Sequence, residues 1–118
     1  MHFHGRFDDT ALRPHPIFES HSTGYVQADL VNRVTGSVHT GLSIAQLARG
    51  GVLYPHVHTF EESFYILSGE AVVTIDGVAH LLGAGDFGAV KVGSTHGVRA
   101  VGDAPVRWLQ MAAPQPKP

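Results

Sequence analysis

The sequence predicts an all-β protein, an antiparallel sandwich or closed barrel of about eight strands. Three observations predict it. Short runs rich in Val, Ile, Leu and aromatic residues succeed one another through most of the chain, separated by glycines at the spacing of sandwiches and barrels. Asp76-Gly77 stands between two such runs and carries a two-residue hairpin signal, because a type I′ turn needs positive φ at both central residues. Helix signals are nearly absent.

Taken in order, residues 1–22 show no sustained period and carry Pro14, Pro16 and four histidines, so they form an arm that is irregular or ordered only by packing on something. Strand-like runs come next in "GYVQADLVNRV", "SVHTGLSIAQL", "ESFYIL", "EAVVTI", "VAHLL", "GDFGAVKV", "GVRAV" and "VRWLQMAA". Ser68-Gly69 makes a tight link between the third and fourth of them, and Gly83-Ala84-Gly85-Asp86 reads as a turn. No repeat doubles the pattern, so the organisation is an arm (1–22), one barrel (23–113) and a frayed tail (114–118).

Composition narrows the function. A chain of 118 residues buries one core and no more. A net charge of -2 with no Lys/Arg-rich run gives no electrostatic footprint for nucleic acid or an anionic membrane surface, so a small molecule is the natural partner. The absence of cysteine removes disulfides, thiolate nucleophiles and zinc-thiolate sites together. Any metal must sit on His, Asp or Glu. No stretch approaches a membrane span and the N-terminus lacks an apolar signal core, so the expectation is a soluble, cytoplasmic protein. No Ser/His/Asp set, phosphate loop or dinucleotide fingerprint competes for the role of active site.

The chemistry concentrates in "HVHTFEESFYILSG", His56 to Gly69. In an extended strand His56 and His58 project to one face, with Tyr54 on the same side by alternation. A short turn through Thr59, Phe60 and Glu61 then lets Glu62 open the next strand beside the imidazoles. Spacing alone does not decide for a metal site. "HFHGRFD", His2 to Asp8, has the same His, His, carboxylate spacing, and a chain with nine histidines produces such pairs by chance.

The flanking residues do decide. Gly50, five residues, His56-Val57-His58, three residues, Glu62, six residues, Gly69 resembles the first signature of the cupin superfamily at every defined position. Gly85, seven residues, Gly93, two residues, His96 resembles the second, departing from it at Lys91, where the family usually has proline, and at Ala100, where it often has asparagine. The "HFHGRFD" copy has neither the preceding glycine nor strand-forming flanks. The resemblance implies a small single-domain cupin, a double-stranded β-helix or jelly-roll barrel of about eight or more antiparallel strands, with His56, His58, Glu62 and His96 holding one divalent transition metal ion, whether Fe, Mn, Ni, Zn, Co or Cu. Four such ligands leave two adjacent positions on an octahedral ion.

Alternation from these ligands directs Tyr54, Phe64, Ile66 and Val98 into a mostly apolar pocket, with Gln46, Trp108 and Gln110 as further candidates from neighbouring strands. Tyr54 or a metal-bound water is the candidate acid/base. The leading functional expectation is a dioxygenase-like oxidoreductase with substrate and O₂ side by side. A lyase, isomerase or cyclase that uses the ion as a Lewis acid is the enzymatic alternative, and a non-catalytic small-ligand-binding cupin is the other. Apolar residues on both faces of "ESFYIL" and "EAVVTI", together with the resemblance, lead us to expect a homodimer.

The two His-rich copies are separable by experiment. Replacing His56, His58 or His96 with alanine should lower bound metal at least tenfold by elemental analysis, whereas His2→Ala and His4→Ala should leave it unchanged. Equal losses from the two sets would reverse the choice between copies.

Overall fold

The computed structural model describes residues 2–57 and 59–113. Its elements are short 3-10 turns at Asp9–Ala11 and Glu19–His21, then β1 (Ser22–Val31), β2 (Gly41–His56), β3 (Glu61–Ser68), β4 (Glu70–Ile75), β5 (Val78–Gly83), β6 (Phe87–Val90), β7 (His96–Val101) and β8 (Val106–Ala113). All strand pairs are antiparallel. The order β5-β4-β7-β2-β8-β3-β6, with β1 on the side of β2, is a curled jelly roll. The all-β barrel expected from the glycine-punctuated runs is the fold observed.

The longest element does the joining. The first half of β2 pairs with β8 from Gly41 to Leu47, and its second half pairs with β7 from Val52 to His56, so one strand belongs to both halves of the barrel. The change of partner falls at Gly50-Gly51. A Cβ on Gly51 would stand 2.8 Å from the carbonyl oxygens of both Ala48 and Thr23, and Gly50 has φ +72, so this corner admits only glycine without distortion. Sequence patterning separates "SVHTGLSIAQL" from the residues beyond Gly50-Gly51, because two adjacent glycines read as a strand end; here they mark a bend within one strand. The first strand also stops earlier than its run suggests, at Val31, where the Asn32 side chain accepts from the backbone N–H of Val34 at 3.0 Å and turns the chain.

Beyond the corner β2 is irregular. Its register against β7 shifts between Leu53 and His56, so the two residues lie on the same side although three positions apart. Gly97 makes room for this bulge. A Cβ there would lie 3.0 Å from both the Leu53 carbonyl oxygen and the Pro55 nitrogen. Between β4 and β5, Asp76 (φ 50) and Gly77 (φ 80) form the expected turn with both central residues at positive φ. The Asp76 carboxylate also accepts from the Thr95 N–H at 3.0 Å, and the Asp76 N–H donates to the Thr95 carbonyl at 2.7 Å. The turn therefore holds the residue that precedes His96.

Leu47 and Val106 are fully buried at the centre, with Ala45, Ala71, Ile66 and Trp108 around them. Ala100, where the second motif departs from the usual asparagine, is buried opposite Ala71 and belongs to this core. On the outer face Tyr65, Leu67 and Phe87 leave an exposed apolar strip along β3 and β6. Among the described residues, no helix is long and apolar enough to cross a membrane. The tail expected at 114–118 lies outside the described residues.

Gly97→Ala tests the bulge. The added methyl presses on backbone rather than on a side chain that can swing away, so the substitution should cost about 1–3 kcal/mol of stability in urea unfolding. The same change at Gly88, on β6, would meet the Phe64 ring instead of backbone. A neutral Gly97→Ala would show that β2 does not need this space.

Candidate functional site

The β2 bulge aims His56 back at the strand it pairs with. His56 and His96 are register partners at the ends of β2 and β7, and their ring centroids lie 4.2 Å apart. Glu62, near the start of β3, reaches the same place: its Oε2 lies 3.7 Å from His96 Nε2, and both side chains are largely shielded from solvent. The junction of β2 and β3 thus meets β7, distant in sequence, and three of the four expected ligands come together. His58, the fourth, lies outside the described residues.

Each imidazole has one nitrogen already committed. His56 Nδ1 is 3.0 Å from the Tyr54 carbonyl and His96 Nδ1 is 3.2 Å from the Ser94 carbonyl. A carbonyl only accepts, so Nδ1 carries the hydrogen in both rings and, in the neutral form, the lone pair is on Nε2. A histidine that ligates a metal is held in this way, through the ring nitrogen that does not bind. Among the described residues no set of three or more His, Asp or Glu side chains is drawn up as a finished metal cage. The donor set and its tautomers nonetheless fit a divalent ion of borderline hardness.

Burial alone pushes the His96 pKa down, but the Glu62 carboxylate beside it and the hydrogen bond to the Ser94 carbonyl, with the charge of Asp76, together outweigh it and hold the pKa above the ordinary 6.5. Tyr25 is displaced in the same direction for a different reason: desolvation, reinforced by the charges of Glu62 and Asp29, keeps its hydroxyl protonated against the opposing effect of a hydrogen bond with Gln110.

These residues stand on the wall of a cavity of about 710 Å³ inside the barrel. Phe64, Ile66, Val98, Trp108 and Gln110 line it, on the face that alternation from Glu62 and His96 indicates. Tyr54 and Gln46 do not. Tyr54 is 48% exposed and meets His21 edge-on, because the bulge between Leu53 and His56 breaks the alternation that would have put it beside His56. Gln46 points to the opposite side of its strand, where its Oε1 accepts two hydrogen bonds from Arg107 at 2.9 and 2.7 Å.

The cavity also uses residues that the sequence pattern left out. Tyr25, Gln27 and Asp29 enter from β1, and their i, i+2, i+4 spacing was a readable signal of a shared face. Phe18 and His21 come from the arm. The Phe18 ring lies 5.0 Å from that of His56 and meets Tyr25 edge-on at 5.5 Å. The arm is anchored by reciprocal backbone hydrogen bonds between Arg13 and Gln27 at 3.1 and 2.8 Å, and by an Asp9–Arg107 ion pair at 3.2 Å. It is therefore a wall of the site, ordered by the barrel it packs on. The "HFHGRFD" copy remains outside: His2 and His4 are exposed and stacked on each other, and Asp8 caps its own turn through Thr10.

Residues 43–111 match the family described as Cupin domain. No curated protein is significantly similar in sequence. Among solved structures, the chain is similar to the polyketide cyclase RemF from Streptomyces resistomycificus, at TM-score 0.82 and 20% identity, over 98% of this chain and 83% of that one. It is similar also to KdgF from Halomonas sp. (TM-score 0.71, 19% identity, 80% and 82% of the two chains). A predicted oxalate decarboxylase from Thermotoga maritima aligns at TM-score 0.71 and 23% identity, over 78% and 83%. At these identities the likeness is one of fold.

The raised His96 pKa has a signed consequence for the metal-free protein. A group whose folded pKa is raised stabilises the fold fully below its unfolded value, near 6.5, and this contribution is lost as pH rises through the folded value. The melting-temperature advantage of wild type over His96→Gln should therefore be largest at acid pH and shrink from about pH 6 upward. An advantage that grows with pH would contradict the Glu62–His96 pairing.

Proposed function

The chain belongs to the cupin family, and we propose that it is a metal-dependent enzyme acting on a small organic molecule by Lewis-acid chemistry of the cyclase, lyase or isomerase kind. His56, His58, Glu62 and His96 are the proposed ligand set; for His58 the motif is the support. One observation carries the reading: two imidazoles with their Nδ1 hydrogens tied to carbonyls converge with a carboxylate on the wall of a cavity of about 710 Å³. A divalent ion bound there would polarise a substrate oxygen.

The chain's own groups supply the rest. The Tyr54 and Ser94 carbonyls fix the tautomers and keep the Nε2 lone pairs available. Glu62 places an anion where a cation would otherwise stand uncompensated in a dry interior. Phe18, Phe64 and Trp108 keep water from the reacting end of the ligand. Tyr25, held protonated, offers a hydrogen bond rather than a base. Tyr54 faces solvent, so the acid/base role expected of it has no support from its position.

A cavity of this volume suits a ring-sized molecule better than a two-carbon acid, and holding such a molecule in one folded shape is what ring closure or isomerisation requires. The polyketide cyclase supports the same reading, since its fold accompanies 98% of this chain, including the arm that walls the cavity. The dioxygenase-like oxidation remains the second reading, supported by the two adjacent positions that four such ligands would leave on an octahedral ion.

Wild-type protein loaded with Co²⁺ should take up a single ion per chain, and a bidentate enediol or tropolone should shift its visible spectrum; Glu62→Gln should alter the shift and His96→Ala should abolish uptake. Substrate candidates identified by screening should be converted equally under air and under nitrogen. Dioxygen consumed in step with substrate would transfer the proposal to the oxidative reading, and a wild-type chain that takes up no metal would end both.

A further inference from the structure

Part of the cavity wall is built from a continuous chain of hydrogen bonds. The Trp108 indole N–H donates to Gln110 Oε1 at 2.8 Å, and Gln110 Nε2 approaches Gln27 Oε1 at 3.4 Å. The Tyr25 hydroxyl donates to the same Gln27 oxygen at 2.5 Å, and Gln27 Nε2 donates to Asp29 Oδ1 at 2.8 Å. All five side chains line the cavity, from buried Tyr25 and Trp108 to exposed Asp29 at the opening.

Chemistry fixes the direction of every link. An indole N–H only donates and a carboxylate only accepts, so Trp108 at one end and Asp29 at the other settle which way each amide faces. Gln110 must turn its oxygen to Trp108 and its NH₂ group away from it. That NH₂ also meets the Tyr25 hydroxyl, and at 3.4 Å its contact to Gln27 is the slack link of the chain, near the limit of a hydrogen bond, so a ligand oxygen can take this one over at little cost.

Register sets the distance to the other polar end. Gln110 stands opposite Phe64, and Glu62 stands opposite Ala112, so the Gln110 and Glu62 rows are two residues apart on one face, about 7 Å along the strands. Between and around them the wall is aromatic, made by Phe64, Phe18, Tyr25 and Trp108. A molecule that engages both ends is longer than a simple chelating acid and is flanked by ring faces and edges.

We propose that Gln110, oriented by Trp108, is the specificity-determining residue of this cavity, donating a hydrogen bond to an oxygen at one end of a flat, ring-containing substrate whose other oxygenated end reaches His56, Glu62 and His96. This rests on the functional reading above and narrows its substrate class. The role of Gln110 is recognition: it separates a ring bearing an oxygen at this position from the same ring without one.

The test uses metal-free full-length protein, with 1,4-naphthoquinone as the oxygen-bearing flat probe and naphthalene as its oxygen-free control. Trp108 is the only tryptophan, so saturable quenching of its fluorescence places the quinone in this cavity, and the chain has no cysteine for the quinone to alkylate. Equilibrium dialysis then compares variants. Gln110→Leu should weaken quinone binding by about tenfold without weakening naphthalene. Gln110→Glu, nearly the same shape but with the donor replaced by an acceptor, should do likewise, and it decides the matter if the leucine variant does not fold. Trp108→Phe, which keeps a ring but frees the amide to turn, should lose part of the same preference. Quinone binding that survives both Gln110 changes within about twofold, equal losses for the two probes, or a wild-type protein quenched by neither would overturn the proposal. Because no metal is present, these outcomes are independent of the Co²⁺ result.

Discussion

One strand has to serve two sheets. β2 exchanges β8 for β7 as its neighbour at Gly50-Gly51, and the site exists because it does so. Two carbonyl oxygens occupy the space where a side chain at Gly51 would begin. A strand that could not bend there would run on beside β8, and His56 would never pair with His96. Hydrophobic packing closes the barrel, but this backbone contact decides which residues meet inside it. Gly51, beside the glycine that opens the first signature, is thus a structural requirement of the same order as the proposed ligands beyond it.

The functional centre shows how local restraint and long-range topology divide the work. Each histidine is held by a carbonyl two residues before it in sequence, a restraint built into its own stretch of chain. Their meeting depends instead on the pairing of β2 with β7, strands far apart in sequence. A buried imidazole beside a carboxylate favours the protonated ring, so a proton would compete with the proposed metal for the same nitrogen.

Much of this was legible in the sequence, and the parts that were not have physical reasons. "EAVVTI" and "VRWLQMAA" are strands over those same residues, because regular runs between turn signals leave little freedom. Phe64 and Ile66 line the cavity because β3 alternates without interruption from Glu62. Tyr54 lies elsewhere because alternation was carried across a bulge, and a bulge has no residue type of its own. Its trace in the sequence was Gly97, a glycine on the partner strand, which only the pairing reveals. Phe18 was hidden for another reason. It sits in a segment without periodicity, whose order comes from ring contacts with the barrel and not from any repeating pattern.

The arm wall has a consequence for how such a chain can change. Phe18 and His21 shape the cavity, yet Phe18 only packs on the edge of the core and His21 is exposed, so neither belongs to the sealed centre around Leu47 and Val106. Substitutions in this segment reshape the chamber while sparing the interior on which folding depends. The shape of the chamber can thereby change apart from the packing that holds the barrel, with a replaceable panel set against a fixed frame.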